Sequence, residues 1–237
     1  TGYSPTVAEA AALRDTLIAA AEKGCRVVAV CDDAYFGLFY EPGVLGESMF
    51  ALLAGAHPRL LPVKLDGATK EDFAWGLRTA FLTFAAPGGG PVHDALVRKA
   101  AGCIRGTVSN CARPSQTALL RAMNDPAYAA EKRARFEVLR GRAAKVKEAL
   151  QDPRYASVWT PYPFNSGYFM CLRLHGLDAE AYRLRLLEQQ GIGIIATSPA
   201  DIRVAFSCIE EEDIRDLFER MYDCANGITK GTGDVAG

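Results

Sequence analysis

The chain has 237 residues, 49% of them hydrophobic, with 27 basic and 28 acidic side chains and a formal net charge of −1. That is enough apolar material for one large domain or two modest ones. The charge balance argues against a polyanion or a membrane surface as partner, and no apolar run reaches the ~18 residues of a membrane span.

Ser4-Pro5 predicts a helix start, a hydroxyl cap followed by proline at the first helical position, with the helix running to about Lys23 and ended by Gly24. Arg26 to Cys31 is a nearly continuous apolar run, which predicts a strand buried on both faces of a parallel sheet, with Asp32 and Asp33 at its end. Ligands of open α/β sheets collect outside the carboxyl ends of strands, so this is a place for chemistry. Leu60 to Val63 is a second strand candidate, leading into a loop that carries Lys70; Leu77 to Phe84 is a third. Helices are predicted over Val92 to Ile104 and Ser115 to Met123, then a long amphipathic one from Pro126 to about Leu150. A helix of about 25 residues is close to 40 Å long, enough to run between two domains.

After Asp152-Pro153 the pattern changes. Strand candidates at Ser157–Thr160, Gly167–Leu174, Gly193–Ala196 and Asp201–Cys208 surround a helix at Asp178–Gln190, and a last helix covers Glu210–Ala225. Segregated strands and helices predict a small α+β domain. The Gly-rich, polar stretch 229–237 is expected to be a disordered tail.

Seven dispersed cysteines without C-x-x-C spacing read as buried, reduced thiols of a cytoplasmic protein, and the opening residues show no signal-peptide pattern. Three histidines, at 57, 93 and 175, lie too far apart to suggest a metal site.

The residues with chemistry to offer are ordered along the chain: Asp32-Asp33-Ala34-Tyr35, then Asp66-Gly67-Ala68-Thr69-Lys70, then Arg78, and near the end Asp201-Ile202-Arg203. Singly each has a bland reading: a strand-end acid, a packed aromatic, a surface lysine, a solvated arginine. In this order they resemble the aspartate-aminotransferase-like enzymes, class I/II aminotransferases of fold type I, which use pyridoxal 5'-phosphate. The resemblance runs from Thr1 to about Asn226. It implies a Schiff base on Lys70, with that amine later serving as general base. It implies Asp32 against the pyridine nitrogen, where an acid favours the protonated, electron-withdrawing form. Tyr35 would bond the cofactor's phenolic oxygen, and Arg78, eight residues after Lys70, would grip its phosphate with a guanidinium fork. Arg203 would clamp the substrate α-carboxylate.

There is one departure. Gly67 stands where the family commonly has a serine or threonine phosphate ligand, leaving Thr69 as a substitute. Arg105, four residues before Ser109-Asn110, fits an arginine that in dicarboxylate-specific relatives reaches the neighbouring subunit's substrate; a surface arginine at a helix end fits equally.

The resemblance further implies a fold with residues 1–125 as part of the large cofactor-binding α/β domain and 126–228 as a long interdomain helix and small α+β domain. Thr1-Gly2 looks like the end of an Asn-Pro-Thr-Gly motif, so the chain is expected to be the C-terminal half of an enzyme, inactive alone and homodimeric when whole. The activity implied is amino transfer from an L-amino acid to a 2-oxo acid. Open alternatives are a lyase or decarboxylase of the same fold, or the amino-acid-sensing domain of a transcription regulator; no nucleic-acid or membrane partner is expected for the enzyme.

Overall fold

In the computed structural model, which describes residues 2–231, the first helix is α1 (Val7–Glu22). Its cap is Thr6, not the expected Ser4. The Thr6 hydroxyl accepts from the Glu9 amide while the Glu9 carboxylate accepts from the Thr6 amide at 2.8 Å, a reciprocal capping box. Thr6 prevails because it has an acid three residues on, where Ser4 has Val7. Gly24 follows the helix at a left-handed φ of 98°.

Strands β1 (Val27–Asp32), β2 (Leu60–Gly67) and β3 (Ala80–Phe84) form one sheet in that order. β1 and β2 are parallel, with Asp32 opposite Leu65, whereas β3 is antiparallel, with Gly67 opposite Ala80. The expectation of a strand buried on both faces needs correction. One face packs: Cys31 and Leu60 form a core with Leu53 of α2 (Met49–Leu53), a helix unforeseen in the sequence, and Leu17 of α1 joins them. On the other face Val28 and Val30 are 62% and 58% exposed. An apolar run tells what a strand is able to bury, not which face its own chain covers.

β2 outruns its expected end at Val63 and passes directly into α3 (Ala68–Glu71), so Lys70 stands on a one-turn helix and not in a loop. The third strand begins at Ala80 and not Leu77, because Arg78 adopts a left-handed φ of 52° that a strand cannot continue. Helices α4 (Gly90–Thr107), α5 (Arg113–Met123) and α6 (Tyr128–Ala149) follow.

Beyond a short 3-10 turn at Pro153–Ser157, strands β4 (Trp159–Pro161), β5 (Met170–Leu174), β6 (Ile195–Ala196) and β7 (Asp201–Val204) make an antiparallel sheet ordered β4-β5-β7-β6. β5 and β7 are shorter than expected: Gly167 takes a positive φ of 75°, and Phe206–Cys208 coils into a 3-10 turn. Helix α7 (Ala179–Gln190) is capped by Asp178, which accepts from the Ala181 amide at 2.8 Å. Helix α8 (Ile214–Gly231) starts after an acidic 3-10 turn, Glu211–Asp213, later than the expected Glu210. Leu172, Ile202, Phe206, Phe218 and Met221 are fully buried at this core. Residues 229–231 are helical where a disordered tail was expected; the rest of that stretch, 232–237, lies outside the described residues.

The chain divides into two compact units. Ser4–Arg135 holds the three-stranded sheet; the other unit takes in the residues up to Tyr3 and those from Phe136 on, with the four-stranded sheet. The division falls within α6. In the second unit the Gly2 carbonyl accepts from the amides of Asn165 (2.8 Å) and Ser166 (3.0 Å). Gly2 has a φ of 86°, and a Cβ there would stand 2.1 Å from the Phe169 carbonyl oxygen, so only glycine fits.

The reading of the cysteines as buried is overturned for most of them. Cys31 and Cys224 are buried, but Cys25, Cys103 and Cys208 are exposed and Cys111 and Cys171 are half-buried; all are free thiols. Among the described residues no helix is long and apolar enough to cross a membrane.

Candidate active site

The first unit carries most of the expected site residues. Asp32 closes β1, and the next amide, of Asp33, donates to the Leu65 carbonyl at 2.8 Å, tying the end of β1 to the strand that leads to Lys70. The two adjacent acids have different fates. Asp33 is half-buried; it accepts from the Ser48 hydroxyl and lies 3.9 Å from the Lys64 amine, which also pairs with Asp66 at 3.1 Å. Burial pushes the Asp33 carboxyl above its ordinary range, against the opposing pull of Ser48 and Lys64. Asp32 is exposed, and Oδ1 accepts from the Ala34 amide at 3.2 Å; Oδ2 has no partner among the described residues. Asp33 is therefore engaged within the fold, and Asp32 is the acid left available.

After β1 the chain turns, with the Phe36 amide donating to the Asp33 carbonyl at 2.9 Å, and this turn presents Tyr35. The Lys70 amine lies 4.6 Å from the centroid of the Tyr35 ring, a cation–π distance. Lys70 and Tyr35 are thus brought together from two strand ends.

Gly67, the departure in the sequence, has a geometric cause. It is the last residue of β2, opposite Ala80, and a Cβ there would stand 2.8 Å from the Thr79 carbonyl oxygen and 3.1 Å from the Ala80 Cα. Its φ of −179° is ordinary, so close approach of β3 excludes a side chain. Thr69 is half-buried, and its hydroxyl has no hydrogen-bond partner among the described residues. Arg78 is exposed; its carbonyl accepts from the Cys111 thiol at 3.7 Å, while its guanidinium makes no hydrogen bond or ion pair among the described residues.

Arg105, in the last turn of α4, donates to the Ser109 hydroxyl at its own helix end, and makes no hydrogen bond or ion pair with the other predicted residues of this unit among those described. Arg203, in β7 of the second unit, has its guanidinium 4.5 Å from the Phe169 ring centroid.

Two groups went unnoticed in the sequence. One is Phe169 under Arg203. The other follows Lys70 directly: Asp72 accepts from the Lys132 amine at 2.8 Å and from the Tyr128 hydroxyl, and Glu71 accepts from Lys132 at 3.3 Å. Burial pulls the Lys132 amine down, but the Asp72 hydrogen bond and the two carboxylate charges more than offset it, leaving a net upward shift. Burial pushes the Glu71 carboxyl up despite Lys132. Two consecutive acids beside a helix were the available signal, because a half-buried pair of that kind needs a cation.

In fold the chain is similar to solved aminotransferases. One is LysN, an α-aminoadipate aminotransferase of Thermus thermophilus complexed with N-(5'-phosphopyridoxyl)-L-leucine (TM-score 0.73, 21% identity, 93% of this chain and 55% of that one). Others are an aminotransferase of Anaerococcus prevotii (0.78, 23%, 95% and 54%) and the aspartate aminotransferase of Thermotoga maritima (0.70, 16%, 95% and 54%). The chain spans about half the length of these structures, and at such identities the likeness is one of fold. No curated protein matches it. The profile of the family described as "Aminotransferase class I and II" matches residues 5–221, and the chain belongs to that family.

Proposed function

We propose that the protein is a pyridoxal-phosphate-dependent aminotransferase that moves an amino group from an L-amino acid to a 2-oxo acid. The observation that carries this is Lys70 on a one-turn helix, its amine against Tyr35, beside a β1 end where Asp32 keeps a carboxylate oxygen available. The donor set suits the cofactor: an amine, a phenol, an acid, and a guanidinium and a hydroxyl without partners among the described residues.

When bound, pyridoxal phosphate would supply the electron sink that lets an amino acid release its α-proton. Lys70 would hold the cofactor covalently through Nζ and, once displaced by the substrate amine, take the α-proton as general base. Asp32 would keep a proton on the pyridine nitrogen by opposite charge. Tyr35 would donate to the phenolic oxygen. Arg78 would hold the phosphate with its fork, and Thr69 takes the place that Gly67 cannot fill. Arg203 would bind the substrate α-carboxylate, with the Phe169 ring 4.5 Å from its guanidinium. Arg105 is the candidate for an acidic substrate side chain, in a homodimer.

The test uses protein expressed from its complete reading frame, incubated with pyridoxal phosphate and reduced with borohydride. The expected result is a phosphopyridoxyl group on the Lys70 peptide by mass spectrometry, absent from Lys70→Ala, together with transfer of ¹⁵N from an amino acid to a 2-oxo acid. Labelling scattered over other lysines, or a Lys70→Ala protein that still transfers nitrogen, overturns the reading.

A further inference from the structure

The helix that carries Lys70 cannot hold its own shape. α3 has only four residues, and its N-cap, Gly67, offers no side-chain bond; a single turn of helix is unfavourable in isolation. The backbone immediately beyond is strained as well. Phe73 stands at a φ of 55° and Arg78 at 52°, a left-handed region costly for residues with bulky side chains. Such conformations persist when the surroundings over-determine them.

The surroundings here are Asp72 and its partners. Asp72 is the C-cap of α3, and its amide bonds back to the Ala68 carbonyl at 3.3 Å. Its side chain is only 5% exposed, and it is held from α6 by the Lys132 amine and the Tyr128 hydroxyl. Lys132 reaches Glu71 too, so both residues after Lys70 are fixed to one cation. A carboxylate fixed at the helix end fixes the rotation of the helix, and the rotation of one turn decides where Lys70 points.

We propose that Asp72, held by Lys132 and Tyr128, is a positioning residue that aims the Lys70 amine. The inference deepens the reading of Lys70 as the cofactor-bearing lysine and rests on it for its functional meaning, but its test needs no cofactor. The reporter is the Tyr35 ring, whose ring current displaces the Lys70 Hε resonance while the amine lies over it.

Protein labelled with ¹³Cε-lysine gives that resonance directly, assigned with Lys70→Arg and controlled with Tyr35→Leu. In Lys132→Met the displacement should be lost, and Lys132→Arg should retain it. A buried charge left without its partner also weakens folding, so a second variant separates the two effects. Replacing both partners, Asp72→Leu with Lys132→Met, removes the more deeply buried of the two carboxylates that Lys132 offsets, Asp72 being 5% exposed against 26% for Glu71. It should restore the urea midpoint toward that of the unaltered protein while the Lys70 resonance stays undisplaced. Displacement that persists in Lys132→Met, or that returns with the midpoint in the double variant, overturns the proposal. If borohydride leaves Lys70 unlabelled while the resonances behave as expected, the cofactor reading fails and the positioning role stands.

Discussion

Gly67→Ser adds a side chain at a position where this fold has no room for it. The added Cβ would meet the Thr79 carbonyl oxygen at 2.8 Å and the Ala80 Cα and Cβ at 3.1 and 3.2 Å, so the atoms that must move belong to the β3 backbone and a side chain without rotamers. Forcing atoms into such a site costs about 1–3 kcal/mol. Removing a glycine from a strand returns about 0.5–1 kcal/mol of backbone entropy. From the middle of each range the balance is a loss of about 1.25 kcal/mol, concentrated where Gly67 pairs with Ala80. Native-state hydrogen exchange resolves it: the β2 and β3 amides near that pair should exchange about eight times faster, as ~1.4 kcal/mol corresponds to a factor of ten. Unchanged or slower exchange there would falsify the close-approach argument and make Gly67 replaceable.

Thr6→Ala removes the hydroxyl half of the capping box and should cost about 0.5–2 kcal/mol, read as a lowered urea midpoint with faster exchange at the Glu9 amide; an unchanged midpoint and exchange rate would show the cap to be ornamental. Trp159 is 1% exposed, and its indole N–H is buried without a hydrogen-bond partner among the described residues. Trp159→Phe exchanges lost packing for relief of that N–H, so its stability should lie within about 1 kcal/mol of the unaltered protein, against a loss of about 3–5 kcal/mol for Trp159→Ala. A large loss in Trp159→Phe would mean that the indole N–H is satisfied. Lys132 has a folded pKa raised above its ordinary 10.5. Its charge therefore adds stability that is fully present below about 10.5 and lost as pH rises through the folded value. The difference in midpoint between the unaltered protein and Lys132→Met should hold constant from neutral pH to about 10 and shrink above it; a difference already shrinking near pH 8 contradicts the assignment.

What the sequence made legible was what local chemistry governs. The helix expected at Asp178–Gln190 is α7, and the run from Arg26 to Cys31 carries the strand β1, because helix caps and apolar runs act over a few residues. The order Asp32, Tyr35, Lys70, Arg78 and Arg203 pointed to a family to which the chain does belong. Contacts between distant segments were not legible. Lys132 lies some sixty residues from Asp72 and looks like one of many charges on a polar helix face. Phe169 under Arg203 depends on the pairing of β5 with β7, which no short window contains. Thr6 displaced Ser4 as cap because two candidates separated by one residue compete, and a single acid three residues on decides between them.

The Gly2 carbonyl and its two amide donors also set an order of events. Asn165 and Ser166 leave the ribosome only after all of Ser4–Arg135 has been made, so these two donors are not yet available to the Gly2 carbonyl while the first unit is being synthesised. The closure joins Gly2 to a loop beyond an entire intervening unit, a pairing of high sequence separation whose loop entropy must be met before any contact returns it. It is therefore expected to be among the last contacts to form as the chain emerges. Until then the Gly2 carbonyl lacks both of these bonds, and the turn they hold is among the parts of a nascent chain that chaperones attend.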